Sequence, residues 1–153
     1  MPVTYKTTLH NLDYTKRKYA DAPRKVRTVV DEHLRETNKD LAGYVRGYTP
    51  VKRGVIQRSV RAYKVGFMDY ATSSSNPITP FVEFPTRWHV IVPKSIGGVL
   101  SFVVGGVRVF TRRVVHTGTK GAYMFRRGVD KIFSERNQRN ADLRRKVREV
   151  LSQ

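Results

Sequence analysis

The chain has 153 residues, enough for one domain with a modest hydrophobic core, whereas two domains would each be marginal. With 30 Lys and Arg against 12 Asp and Glu it carries a formal charge of +18, which implies an acidic partner: nucleic acid, an anionic membrane surface or an acidic protein face. It has no cysteine, which excludes disulfides, thiolate metal sites and cysteine nucleophiles, and no apolar run nears the roughly 18 residues of a membrane helix.

Residues 1–20 alternate at Val3, Tyr5, Thr7 and Leu9 ahead of a basic cluster, Lys16, Arg17 and Lys18. They read as an extended arm that adds a strand to a neighbour's sheet edge, or as a frayed terminus. The opening residues lack the apolar centre of a signal peptide, so a soluble chain made in a cytoplasm is expected.

A single domain is expected over 21–153. Val26, Val29, Val30, His33, Leu34, Thr37, Leu41, Tyr44, Val45 and Tyr48 recur at helical spacing, with charged residues between them. Asp21 suits the N-cap, Pro23 the first turn, and Pro50 closes the element by pushing Thr49 out of helical geometry. At about 1.5 Å per residue the helix spans roughly 38 Å and needs a sheet or other helices to lie on.

After a turn at Gly54, "RSVRAYKVGFM" alternates as a half-buried strand should, with Ser59, Arg61, Tyr63, Val65 and Phe67 on one face and Val60, Ala62, Lys64 and Gly66 on the other. Residues 69–80, rich in Ser, Thr and Pro, read as a projecting loop. Further strands are expected in "WHVIV" from Trp88, "VLSFVV" from Val99 and "VRVFTRRVVH" from Val107, the last two joined by a tight Gly105–Gly106 hairpin. Residues 119–153 return to helical spacing, with Ala122, Phe125, Val129, Ile132 and Phe133 on one face, then Leu143, Val147, Val150 and Leu151 beyond a polar "SERNQRN" that divides the segment into one or two helices. The fold class is therefore α+β: a long N-terminal helix on an antiparallel meander of about four strands, with one or two C-terminal helices.

Chemistry is sparse. Most carboxylates fall on helix faces among Lys and Arg, no acid/base pair stands out, and no catalytic residue is assigned. His10, His33, His89 and His116 are isolated from other ligand-type residues, so neither metal nor cofactor is expected, and His33 reads as a core or boundary residue. Glu83 sits among aromatic residues in "PFVEFPTRW", where an unpartnered carboxylate is costly, so a nearby arginine is expected to pair with it. "HTGTKGAYMF" either offers amides at a helix start to an anion, helped by Lys120, or simply makes the turn. The last third concentrates basic residues, among them Arg126, Arg127, Arg144, Arg145 and Arg148, a density suited to DNA phosphates or to an acidic protein ring.

Across 22–133 the chain resembles the neck, or minor tail component, family of long-tailed bacteriophages. The family's Thr-Pro-Val-x-Thr-Gly-x-Leu-x-x-Ser pattern is matched by Thr49, Pro50, Val51, Gly54, Ile56 and Ser59, with Arg53 at the usual threonine. Its Glu-Phe-Gly-Thr is matched by Glu83, Phe84 and Thr86, with Pro85 at the glycine; its His-Pro-Gly-Thr is matched by His116, Gly118 and Thr119. The resemblance makes the first motif a scaffold corner, where Pro50 ends the helix and Gly54 lets the backbone reverse into the strand. It also implies a non-enzymatic virion protein, assembled in the host cytoplasm as a homo-oligomeric ring, a hexamer, between the head-closing stopper and the tail terminator or tail tube around the DNA channel. Lys16, Arg17, Lys18, Arg126, Arg127, Arg144, Arg145 and Arg148 would then meet neighbouring proteins or, transiently, DNA, with no membrane involved. A basic nucleic-acid-binding protein is the alternative.

Overall fold

The computed structural model describes residues 24–152. The expected arm, with Lys16, Arg17 and Lys18, and the Asp21 and Pro23 helix start lie outside these residues. The chain is α+β, as its periodicities require.

Helix α1 (Arg24–Tyr48) buries Val26, Val30, Leu41, Ala42 and Val45, the stripe that its helical spacing predicts. Its end is closed by Thr49, whose Oγ1 donates to the Val45 carbonyl at 2.6 Å, and Pro50 follows at once. The chain does not reverse straight into a strand after Gly54, as expected from alternation. A short helix, α2 (Val55–Ser59), intervenes, entered through Gly54 at φ 65°. It is pinned to the end of α1, because Gln57 Nε2 donates to the Arg46 carbonyl and the Arg46 guanidinium donates to the Val60 carbonyl at 2.8 Å.

Strands β1 (Val60–Gly66) and β2 (Asp69–Ser74) form an antiparallel hairpin against α1. Here the expected projecting loop over 69–80 is corrected: its first half is a strand with Ala71, Thr72 and Ser74 buried, and Thr79–Glu83 forms a short helix, α3. Composition misleads because the small hydroxyl side chains are paired inward instead of facing water. Thr72 Oγ1 donates to Asn38 Oδ1 at 2.8 Å while Asn38 Nδ2 donates to the Ala71 carbonyl at 3.1 Å, so a buried asparagine in α1 holds β2 in place. The hairpin turn puts Met68 at φ 50°, seating its side chain against Val26 and Val30.

Strands β3 (His89–Ile91), β4 (Leu100–Val104), β5 (Val107–Thr111) and β6 (Val114–His116) are all present, but not as one meander. β3 pairs with β6 and β4 with β5, so the described strands make three separate two-stranded ladders. The expected single run from Val107 breaks at Arg112 and Arg113, where Thr111 Oγ1 bonds both the amide and the carbonyl of Arg113. β3 to β6 thus form one long interrupted ribbon, rooted at His89 and His116 and tipped by Gly105 and Gly106, both at positive φ.

Helices α4 (Met124–Ser134) and α5 (Arg136–Leu151) meet in an elbow at Glu135 and cover α1. One core cluster joins Leu41, Ala42, Val45, Val60, Met124 and Phe125; a second joins Val26, Val30 and Met68, flanked by Leu34, Leu143, Val147 and Val150. Both apolar contact and charge seat α5: Leu143, Val147 and Val150 pack half-buried on the second cluster, and Arg139–Asp40 at 2.9 Å and Lys146–Glu36 at 3.5 Å reach across to α1. The exposed pairs Arg145–Asp142 and Arg145–Glu149 lie within α5 itself, and such pairs contribute about 0–1 kcal/mol.

Candidate functional site

The three family-like motifs, far apart in sequence, close on one another. α3 ends at Glu83, whose side chain is only 3% exposed. Its Oε2 accepts the Phe125 amide at 3.0 Å and its Oε1 the Arg126 amide at 3.3 Å, so the carboxylate caps the start of α4 from outside the helix. The expected arginine partner is therefore corrected: backbone amides at a helix N-terminus satisfy Glu83, and no Glu83 ion pair occurs among the described residues.

The same connection answers whether "HTGTKGAYMF" is an anion site. Gly118 N donates to His116 Nδ1, Thr119 N to Thr86 Oγ1, Ala122 N to the Val82 carbonyl and Tyr123 N to the Glu83 carbonyl. With Phe125 and Arg126 amides on the Glu83 carboxylate, the protein supplies its own anion and these donors are spent. Thr86 and Thr119 bond reciprocally, amide to carbonyl at 3.0 Å and hydroxyl to hydroxyl at 2.9 Å. Gly118, at φ 89°, lies so close to the Thr86 carbonyl that a Cβ would strike it, and a Cβ on Gly121 would meet the Glu83 carbonyl at 2.7 Å. Both positions require glycine for close approach.

The first motif joins from the other side. Thr49 Oγ1 lies 3.1 Å from Met124 Sδ, at the first residue of α4. Ser59, Ser74 and Thr79 form a hydroxyl chain at 2.7 and 2.6 Å, and Ser59 donates to the Ile56 carbonyl. Because each hydroxyl has one hydrogen, that last bond sets the direction: Thr79 donates to Ser74 and Ser74 to Ser59. α2, β2 and α3 are thereby tied together, and with them the motifs carrying Gly54 and Glu83. Pro50 and Val51 stay at the exposed outer side of the corner, and Phe84 is also largely exposed.

The ribbon springs from this junction. Its root pairs His89 with His116, ring centroids 5.1 Å apart, directly between the Thr86 and Gly118 segments. Beyond the root, one face of β4 and β5 presents Leu100, Phe102, Val104, Val107 and Val109, with Val107 67% exposed. Among the described residues β4 and β5 make no substantial contact with the helices, and Val104 and Val107 are 58% and 67% exposed.

The candidate basic residues do not join the junction. Arg127 stacks over the Tyr48 ring at 4.2 Å, and Arg126 is exposed beside it on α4. Arg144, Arg145 and Arg148 lie on α5, where Arg145 is held by Asp142 and Glu149 at 2.6 and 3.0 Å. At the elbow, Glu135 accepts from Arg139 and Tyr44 and pairs with Lys131; these bonds, Arg139's foremost, pull its carboxyl down to about 2. His33 is shifted down by burial and by nearby Lys146. Sequence reading missed the Asn38–Thr72 pair and the hydroxyl chain; the "TSSS" run was their trace. Among the described residues no group of three or more His, Asp or Glu gathers as a metal site, and no helix is long and apolar enough to cross a membrane.

No protein-family model, curated protein or solved structure matches this chain.

Proposed function

We propose that the chain is a structural component of a phage neck: a non-enzymatic protein that assembles into a homo-oligomeric ring, a hexamer, between the stopper and the tail terminator or tail tube. The observation that carries this reading is the junction itself. Thr86 of the second pattern bonds Thr119 of the third directly, and the other pattern residues reach the junction through their neighbours: Thr49 to Met124, Ser59 through Ser74 to Thr79, and Glu83 to Phe125. Segments that resemble three separate family patterns are thus held to one place in the fold.

The outward apolar ribbon supports the same reading, since an isolated two-stranded ribbon with an exposed apolar face is marginal in water and gains stability on a neighbour. In this reading the ribbon contacts adjacent subunits, and the basic surface meets acidic neck partners or the DNA path within the virion.

The test is the native mass of nuclease-treated protein across ionic strength, with imaging of any large species. A discrete multimer with a central hole is expected. A persistent monomer that binds duplex DNA tightly, with a steep salt slope, would replace this reading with the nucleic-acid-binding one.

A further inference from the structure

A groove of about 710 Å³ runs between α1 and the elbow of α4 and α5. Leu34, Ile132, Phe133, Leu143 and Val147 supply its apolar lining, and Phe133 is 56% exposed there. Three arginines, Arg136, Arg144 and Arg148, line the groove as well, and none of them has an ion pair among the described residues. The fourth, Arg139, is already neutralised by Asp40 and Glu135 at 2.9 and 2.7 Å. Among the described residues no aspartate or glutamate lines the groove.

We propose that this groove docks an acidic, amphipathic helical segment of another protein, its apolar side chains over Phe133 and Leu143 and its carboxylates on Arg136, Arg144 and Arg148. Charge and shape both select that occupant. Arg144 and Arg148 stand one helical turn apart, about 6 Å along α5, and Arg136 lies two further turns back, so carboxylates spaced by single turns on an opposing helix match them. Duplex DNA satisfies the arginines but leaves the apolar lining facing a polar backbone, and that mismatch disfavours it.

The chain cannot supply the segment itself. Its 12 acidic residues are scattered, and residues 1–23 carry only Asp13 and Asp21 against Lys6, Lys16, Arg17 and Lys18. A second copy, at +18, adds repulsion. The inference is independent of the ring reading, because a groove on one subunit is accessible in a monomer.

The experiment titrates the full chain with a fluorescent synthetic peptide of about four helical turns, with Leu at helical spacing flanked by Glu, and with a twin carrying Lys for Glu. The expected result is saturable binding of the Glu peptide, at least about tenfold weaker for the Lys twin, with a tenfold charge preference corresponding to one 1.4 kcal/mol step. Arg144→Glu/Arg148→Glu and, separately, Phe133→Ser should each weaken it about tenfold or more. Arg112→Glu/Arg113→Glu, an equal charge change on the ribbon, should leave it within about twofold. These side chains are exposed, and unchanged circular dichroism checks the fold. The proposal is overturned if the Glu peptide does not bind, if the ribbon variant weakens it as much as the groove variant, or if Phe133→Ser has no effect. Displacement of the peptide by duplex DNA whose own binding ignores Phe133→Ser would assign the arginines to phosphate and overturn it too.

Discussion

Glu83 is an acid enclosed by its own chain. Its carboxylate stands where an external anion would stand at the start of α4, and its removal leaves the Phe125 and Arg126 amides without an acceptor. A buried donor left unmade costs about 1–3 kcal/mol, so Glu83→Ala should lower the urea midpoint by about that much at an unchanged slope. Glu83→Gln keeps an acceptor oxygen and should lose less. Equal losses from the two variants would mean that charge, not acceptor geometry, makes the cap.

Glu135 carries a second, opposite lesson at residue scale, because its bonds work through ionisation. Hydrogen bonds from Arg139 and Tyr44 hold its carboxyl at about 2, against an ordinary value of 4.5. A depressed acid binds protons less readily folded than unfolded, so its stabilisation is fully present above pH 4.5 and is lost as pH falls toward 2. Glu135→Gln should therefore flatten the acid limb of the stability profile over that window and change little at neutral pH in slope. His33, lowered by burial, adds a separate loss beginning as pH falls through its ordinary 6.5. A wild-type acid limb identical to that of Glu135→Gln would show that the elbow bonds carry no linkage.

At the scale of elements, α1, α4 and α5 were legible because helical period survives in side chains that alternate between core and solvent. Val26, Val30, Leu41 and Val45 needed only that. β2 was not, because Thr72 and Ser74 have the composition of a loop and become strand residues only when Asn38 and Ser59 receive their hydroxyls. Nor could local pattern find the partner of Glu83, which lies 42 residues downstream. The motifs were legible as residues; their mutual contact was a tertiary fact. The ribbon makes a separable prediction. Since β4 and β5 contact chiefly each other, replacing residues 99–112 by a short Gly-Ser turn should leave the body's unfolding transition within about 1 kcal/mol of wild type, a surface-level change, while abolishing any ring. Retention of a full multimer after that excision would remove the ribbon from assembly.

At the scale of the whole molecule, a charge of +18 works against self-association, and the exposed apolar ribbon works for it. Salt screens the first and barely touches the second, the Debye length falling from about 10 Å at 0.1 M to about 3 Å at 1 M. Multimer mass should therefore rise or hold as salt increases, the reverse of a nucleic-acid complex.

The ribbon's root also gives the molecule a mechanical character. β3 and β6 leave the body past Thr86, which is bonded to Thr119, and Gly118, which lies in close backbone contact with the Thr86 carbonyl. Two residues upstream of the root's turn, the chain becomes Phe84 and Glu83, and the latter grips the first turn of α4. A displacement of the ribbon's root would thus act on the start of a helix packed along α1. The β3–β6 ladder is the part of the ribbon mechanically tied to the core, while the tip ladder, joined to it through residues outside any strand, can be held by a neighbour on its own terms.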